Sequence, residues 1–127
     1  MTDADTLRNA RNILLKLHKS LVDFERESYE RVYGPQNSGQ FLNILLEDEN
    51  FAWLRKFSTL IVEIDEMFDL KDGVPNEMIK LNLEKIRELV GMKESDEFFR
   101  AKYQHALQTD PETAGSHAEL KALLTMQ

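Results

Sequence analysis

Apolar residues recur at intervals of three and four through the first part of the chain, which is the spacing of one face of an α-helix. No glycine or proline interrupts this pattern before Gly34 and Pro35, so a helix is predicted from about Asp3 to Tyr33. At about 1.5 Å per residue this helix would be roughly 45 Å long, so its apolar face is expected to contact several shorter helices or a second subunit. The residues of the pattern are Leu7, Ala10, Leu14, Leu17, Leu21 and Phe24.

Shorter helical patterns follow the turn-forming segment 34–39, and no segment shows the alternation typical of a strand. Residues 109–115 contain Pro111 and are expected to form a loop, while Ser116 and Glu119 have the spacing of a capping box that opens a last helix. The pattern predicts an all-α, antiparallel helical bundle of five to six helices with a long first helix, in a single domain spanning residues 1–127. Four helices are predicted between the first helix and the last one. They are a short helix at 41–46, a heavily apolar and central third helix from about Asn50 to Phe68, a fourth from Pro75 to Gly91, and a fifth that begins at 95–97.

Composition excludes several kinds of site. The chain has no cysteine, so disulfides, thiolate zinc sites and cysteine nucleophiles are excluded. The first residues are acidic where a signal peptide would be basic, and no run of about 18 apolar residues exists. We therefore expect a cytoplasmic protein without membrane contact.

Charge is distributed unevenly along the chain, whose net charge is −7. All charged residues in 7–19 are basic, whereas all charged residues in 63–77 except Lys71 are acidic. If the first and third helices are antiparallel, the basic start of one meets the acidic end of the other. The net negative charge disfavours a nucleic-acid binder, although the basic stripe leaves regulatory nucleic-acid binding as an alternative. The cations of this stripe are Arg8, Arg11, Lys16 and Lys19.

Glu63, Glu66 and Asp69 follow one another at three-residue intervals on the third helix. This spacing looks like the first half of the Glu-x-x-Glu and Glu-x-x-Asp signature of all-α nucleoside-triphosphate pyrophosphatases. The resemblance implies that these carboxylates would bind magnesium between two helices. The second half is missing, because the nearest candidate pairs Glu94 with Glu97 at a helix boundary. The alternative interpretation is a solvent-exposed acidic face whose charges complement the basic start of the first helix. No Glu-x-x-His motif of a di-metal bundle is present, and we predict no metal site and no cofactor.

The segment Phe51-Ala-Trp-Leu-Arg-Lys-Phe57 combines the only tryptophan with two phenylalanines and two cations. Aromatic residues beside arginine are typical of protein interfaces, although the same aromatics could simply form the core. Segments 51–55, 60–66 (Leu-Ile-Val-Glu-Ile-Asp-Glu) and 8–15 (Arg-Asn-Ala-Arg-Asn-Ile-Leu-Leu) resemble a group of small, all-helical bacterial proteins of unknown function. This resemblance implies no functional residue.

The resulting hypothesis is a non-catalytic, cytoplasmic helical protein that acts through protein contacts as a homodimer. Its predicted binding residues are Trp53, Arg55, Asp65 and Glu66. The alternative is a metal-dependent enzyme, similar to a nucleotide pyrophosphatase or binding another small ligand, that uses the acidic face of the third helix. No catalytic residue is assigned in either case.

Overall fold

The computed structural model describes residues 1–93 and 95–125, and it confirms the all-α bundle. No strand occurs within these residues. The buried apolar side chains form one cluster to which every α-helix contributes. The elements are α1 (Asp3–Tyr33), α2 (Ser38–Glu47), the 3₁₀-helix η1 (Glu49–Leu54), α3 (Arg55–Phe68), α4 (Asn76–Val90), α5 (Glu97–Thr109) and α6 (Pro111–Thr125).

Helix α1 forms over the predicted range and begins in a capped turn. Thr2 and Asp5 make a reciprocal capping box that satisfies two backbone N–H groups at its start. All six residues of the predicted apolar stripe are buried, which confirms that face as the core side of the helix. Leu15, which points about 100° away from Leu14 around the helix axis, is exposed.

Helix α1 also makes the main contacts with α3, α4 and α6, so it occupies the central position that the sequence assigned to the third helix. It is antiparallel to α6, because Lys16 contacts Glu119 whereas Ser20, further along α1, contacts Thr113 near the start of α6. It is antiparallel to α3 as well, because Arg8 contacts Phe68 whereas Arg11, further along α1, contacts Asp65. The long first helix is therefore covered by other helices of the same chain over much of its length.

The predicted third helix is divided in two. Asp48 accepts a hydrogen bond from the backbone N–H of Asn50 at 2.9 Å, and the tight turn that it starts is a 3₁₀-helix. With three residues per turn, this helix places Phe51 and Leu54 on the same side, and both are buried. Regular α-helix begins only at Arg55, five residues later than the apolar pattern predicts.

The predicted loop at 109–115 is wrong, because α6 begins at Pro111 and continues through Gly115 and Ser116. Proline suits the first turn of a helix, where its missing N–H costs no hydrogen bond. The backbone N–H of Ala114 donates to the carbonyl of Asp110 at 3.0 Å, which closes the first turn. Ser116 is buried inside α6, so it does not cap a helix as predicted.

Candidate functional site

The predicted contact between the start of α1 and the end of α3 is present. The guanidinium of Arg11 donates two hydrogen bonds to the carboxylate of Asp65, from Nε at 2.9 Å and from Nη2 at 2.8 Å. One turn earlier on α1, the guanidinium of Arg8 lies 4.4 Å from the ring centre of Phe68. Asp65, a predicted binding residue, is therefore held by α1 and helps to fix the antiparallel arrangement.

Each cation of the basic stripe on α1 is engaged inside the chain. Three of the four lie within 4 Å of a carboxylate oxygen, and the fourth stacks on an aromatic ring. Pairing with carboxylates reduces the contribution of three of these cations to the positive field that nucleic-acid binding needs, whereas Arg8 keeps its charge. The contacts are Arg8 with Phe68, Arg11 with Asp65, Lys16 with Glu119 and Lys19 with Asp23.

The acidic side chains of α3 point in different directions. Glu63 faces α4, where its carboxylate lies 3.3 Å from the ammonium of Lys85, whereas Asp65 faces α1. Glu66 is exposed between them and forms no ion pair with any described residue. Within residues 1–93 and 95–125, no three histidine, aspartate or glutamate side chains are grouped so as to hold a metal ion. Glu94 lies outside the described residues, and the metal-dependent enzyme stays a prediction.

The structure places Trp53 in the core. Its side chain is 4% exposed and makes edge-to-face contacts with Phe57 and Phe99, whose ring centres are 6.2 and 5.8 Å away. Its Nε1–H has no hydrogen-bond partner among the described residues. A partner protein cannot reach this indole in the folded chain, so Trp53 acts here as a packing residue.

Arg55 is exposed and holds the end of α2. Its Nη2 donates to the carbonyl oxygens of Leu45 and Leu46 at 3.2 and 2.5 Å, where the last carbonyls of a helix have no partner within it. No carboxylate of the described chain lies within ion-pair distance of the guanidinium. Arg55 thus interacts with the carbonyl end of α2, and its positive charge has no carboxylate partner among the described residues.

Arg55 and Glu66 lie on the same outward face of α3. Residues seven and eleven positions apart in an α-helix differ by only about 20° in direction, so Arg55, Val62 and Glu66 are aligned over about 16 Å. Val62 is 52% exposed, and Thr59, also exposed, completes the line. We call these four residues the α3 ridge. It carries a positive charge at one end, an apolar centre and a negative charge at the other end.

Exposed apolar side chains lie beside both ends of the α3 ridge. Leu42 and Leu46 of α2 border the groove that contains Arg55. Leu70, Met78 and Leu81 are exposed around the groove that contains Glu66. Leu15 lies beside the centre, because it follows Arg11 by one turn while Val62 precedes Asp65 by one turn on the antiparallel helix. The ridge is therefore the charged centre line of a wider apolar surface.

Two features of the structure had no signal in the sequence patterns. A basic cleft lies between α3 and α4 and gathers cations that are up to 38 positions apart in the sequence. In addition, the buried hydroxyl of Tyr103 and Nδ1 of His117 are hydrogen-bonded at 2.6 Å and join α5 to α6. Burial raises the pKa of Tyr103 and, with a smaller effect of Lys121, lowers that of His117, so both groups are neutral near pH 7.

No helix in the described part of the chain has the length and apolar composition that a membrane crossing requires. Comparison with protein-family models, with curated proteins and with solved structures finds no match.

Proposed function

We propose that the protein acts through protein contacts as a non-catalytic homodimer, and that the α3 ridge is the centre of the interface. The observation that supports this most directly is the pair of opposite charges at its ends, Arg55 and Glu66. Both are among the binding residues predicted from the sequence. Neither side chain has an ion-pair partner among the described residues.

A two-fold axis brings opposite ends of the same surface together. If two copies of α3 pack antiparallel, Arg55 of one copy faces Glu66 of the partner subunit, and the symmetry axis generates the same pair a second time. Val62 and Thr59 then meet near the axis. The surface is self-complementary, and this is why we assign a second copy of the chain as its occupant.

The apolar flanks supply the remaining contact area. The 14 residues of α3 form a helix only about 21 Å long. Its outward face alone therefore supplies only part of the ~800 Å² that each partner buries in a standard interface. In the same antiparallel arrangement, Leu42 and Leu46 of α2 extend the contact at one end of the ridge on its α1 side, and Leu70 and Leu81 extend it at the other end on its α4 side. Burial of these side chains provides most of the association free energy, and the ion pairs fix the orientation.

Charge exchange tests this interface. We expect sedimentation equilibrium to show a dimer at micromolar concentration, and Glu66→Arg to shift the chain toward monomer because two arginines would then face each other. Combining Arg55→Glu with Glu66→Arg restores opposite charges and should restore the dimer. Glu112→Arg on α6, a helix that packs on α1, α4 and α5, is the matched control and should leave the dimer intact.

Two results would count against the proposal. A wild-type chain that is strictly monomeric at micromolar concentration would exclude the homodimer. A dimer whose dissociation constant is the same in the wild type and in Glu66→Arg would place the interface elsewhere on the molecule. Circular dichroism of each variant checks that the helices are retained, since Arg55 also binds the end of α2.

A further inference from the structure

In the loop between α3 and α4, an aspartate is followed directly by a glycine, Asp72 and Gly73. Both residues are exposed, and a Cβ atom built on Gly73 would meet no other atom within 4 Å. Within the described residues, the carboxylate of Asp72 forms no ion pair or hydrogen bond. The backbone N–H of Gly73 likewise donates no hydrogen bond of standard geometry there. The carboxyl group and the nitrogen that follows it are therefore both free to move.

An aspartyl side chain in such a segment reacts with the backbone that follows it. The nitrogen of Gly73 attacks Cγ of Asp72, and the new N–Cγ bond closes a five-membered succinimide. The bond from Cγ to the hydroxyl breaks, and the hydroxyl leaves with the amide proton as water. Water then adds to one of the two imide carbonyls. Addition at Cγ restores aspartate, whereas addition at the former main-chain carbonyl gives isoaspartate, which has the same mass and charge but one more atom in the main chain.

Glycine favours this ring closure more than other residues do. The attacking nitrogen must come close to Cγ, and a Cβ atom on the following residue crowds that approach and restricts the backbone angles that allow it. Gly73 has no Cβ, and its φ of +85° lies in a region that other residues rarely adopt. The loop thus combines a reactive pair of residues with open space around their peptide bond.

The start of α2 shows how structure suppresses the same chemistry. Asn37 precedes the small residue Ser38, and asparagine forms the same imide by losing ammonia. However, the Asn37 side chain accepts a hydrogen bond from the backbone N–H of Gln40 at 2.8 Å, and its own backbone N–H donates to the Gln40 side chain at 2.9 Å. Ring closure at Asn37 would disrupt this capping box, whereas ring closure at Asp72 disrupts no contact of this kind.

We propose that Asp72 and Gly73 form a site of isoaspartate formation in the folded chain, and that the product is a substrate for carboxyl methylation by a repair methyltransferase. The rearrangement frees the former main-chain carboxylate of Asp72. Such an enzyme transfers the methyl group of S-adenosylmethionine to an oxygen of that carboxylate, and S-adenosylhomocysteine leaves. This assignment is independent of the homodimer, because neither residue belongs to the α3 ridge.

The test follows the folded chain during several weeks of incubation at physiological temperature and neutral pH. Cleavage after glutamate releases the peptide 67–77, which should separate by chromatography into two species of equal mass. Electron-transfer fragmentation should locate the isoaspartate at Asp72, and an isoaspartyl methyltransferase should incorporate labelled methyl groups into the aged chain. We expect a rate within about tenfold of that of a free peptide 69–76, because an unconstrained loop behaves locally like an unfolded segment.

Two matched variants locate the reaction. Asp72→Glu should abolish methyl incorporation, because its longer side chain would have to close a less favourable six-membered ring. Asp69→Glu makes the same change at an exposed position in front of the larger residue Leu70, so it should leave the rate unchanged. Gly73→Ala should slow the reaction by about tenfold or more, since it adds the crowding Cβ. Circular dichroism checks that each variant retains its helices.

A folded chain that forms isoaspartate more than about tenfold more slowly than the free peptide overturns the proposal, because the loop would then hold Asp72 in an unreactive conformation. Equal rates in Asp72→Glu and Asp69→Glu overturn it as well, and so do fragments that place the isoaspartate at Asp69. An isoaspartyl product that accepts no methyl group would refute recognition by the methyltransferase. These readouts do not involve the oligomeric state, so they are distinguishable from failure of the homodimer.

Discussion

Replacing Gly115 with alanine tests where α6 begins. Gly115 is the fifth of fifteen residues of α6, it is exposed, and its φ lies outside the left-handed region. A Cβ atom built at this position has no other atom within 4 Å. Alanine therefore fits the native backbone without steric strain, and it loses less conformational entropy on folding than glycine does.

The expected gain follows from this position. Alanine is preferred over glycine in a helix interior by about 0.5–1 kcal/mol, and nothing in the surroundings of Gly115 reduces that preference. We expect Gly115→Ala to raise the free energy of unfolding by this amount. For a domain of this size, the melting temperature should rise by about 2–5 °C.

Urea unfolding followed by fluorescence of Trp53, the single buried tryptophan, measures the change. Gly73→Ala is the matched control. Its Cβ would also meet nothing within 4 Å, but its φ of +85° is unfavourable for alanine, so this variant should lose about 1 kcal/mol. The two variants differ in backbone conformation and not in available space.

The result that would refute the reasoning is a neutral or destabilising Gly115→Ala together with a destabilising Gly73→Ala. That outcome would mean that residue 115 is not in regular helix when the chain is folded in solution. It would return this segment to the loop that Pro111 and Gly115 indicate in the sequence.

Two further predictions concern charged and titrating groups. Arg11→Met and Asp65→Asn should show a coupling free energy of about 0.5–1 kcal/mol in a double-mutant cycle, since the contact is bidentate but partly exposed; no coupling would mean that it does not stabilise the α1–α3 arrangement. Burial lowers the pKa of His18 and His117 in the folded chain below the ordinary value of 6.5. The unfolded chain therefore takes up protons first as the pH falls, and the free energy of unfolding should decrease from pH 7 to pH 5.5. Combining His18→Gln with His117→Gln should flatten this dependence, and an unchanged slope in urea titrations would contradict it.

The fold was largely predictable because α1, α3 and α4 are strongly amphipathic. In α1, residues such as Leu7, Leu14 and Leu21 bury one face without interruption, so periodicity alone identified both the helix and its core side. Residues 109–116 misled the prediction because proline and glycine usually interrupt helices. Pro111 instead occupies a first turn, and Gly115 lies on an exposed side where a missing side chain costs no packing.

The candidate site was less predictable, because it depends on which helices are neighbours. Charge polarity was sufficient to predict that the basic start of α1 meets the acidic end of α3, because both segments carry charges of one sign, but it did not single out the pair Arg11 and Asp65. Composition also drew attention to Trp53, but an aromatic cluster has the same sequence whether it lies in the core or at an interface. The basic cleft could not be found from spacing, because Lys56 lies on α3 and Lys93 in the turn after α4, and only packing places both residues along one cleft.

The antiparallel contact between α1 and α6 has a consequence for synthesis of the chain. Helix α1 is made first, but Ser20 is paired with Thr113 and Lys16 with Glu119, so this side of α1 is covered only after almost all other residues have been translated. At about 5–20 residues per second, the emerging helix waits on the order of 5–20 s for its last neighbour. During that interval the side of α1 that later packs on α6 is accessible to chaperones and to other nascent chains, and native packing of α1 is completed only after translation of α6.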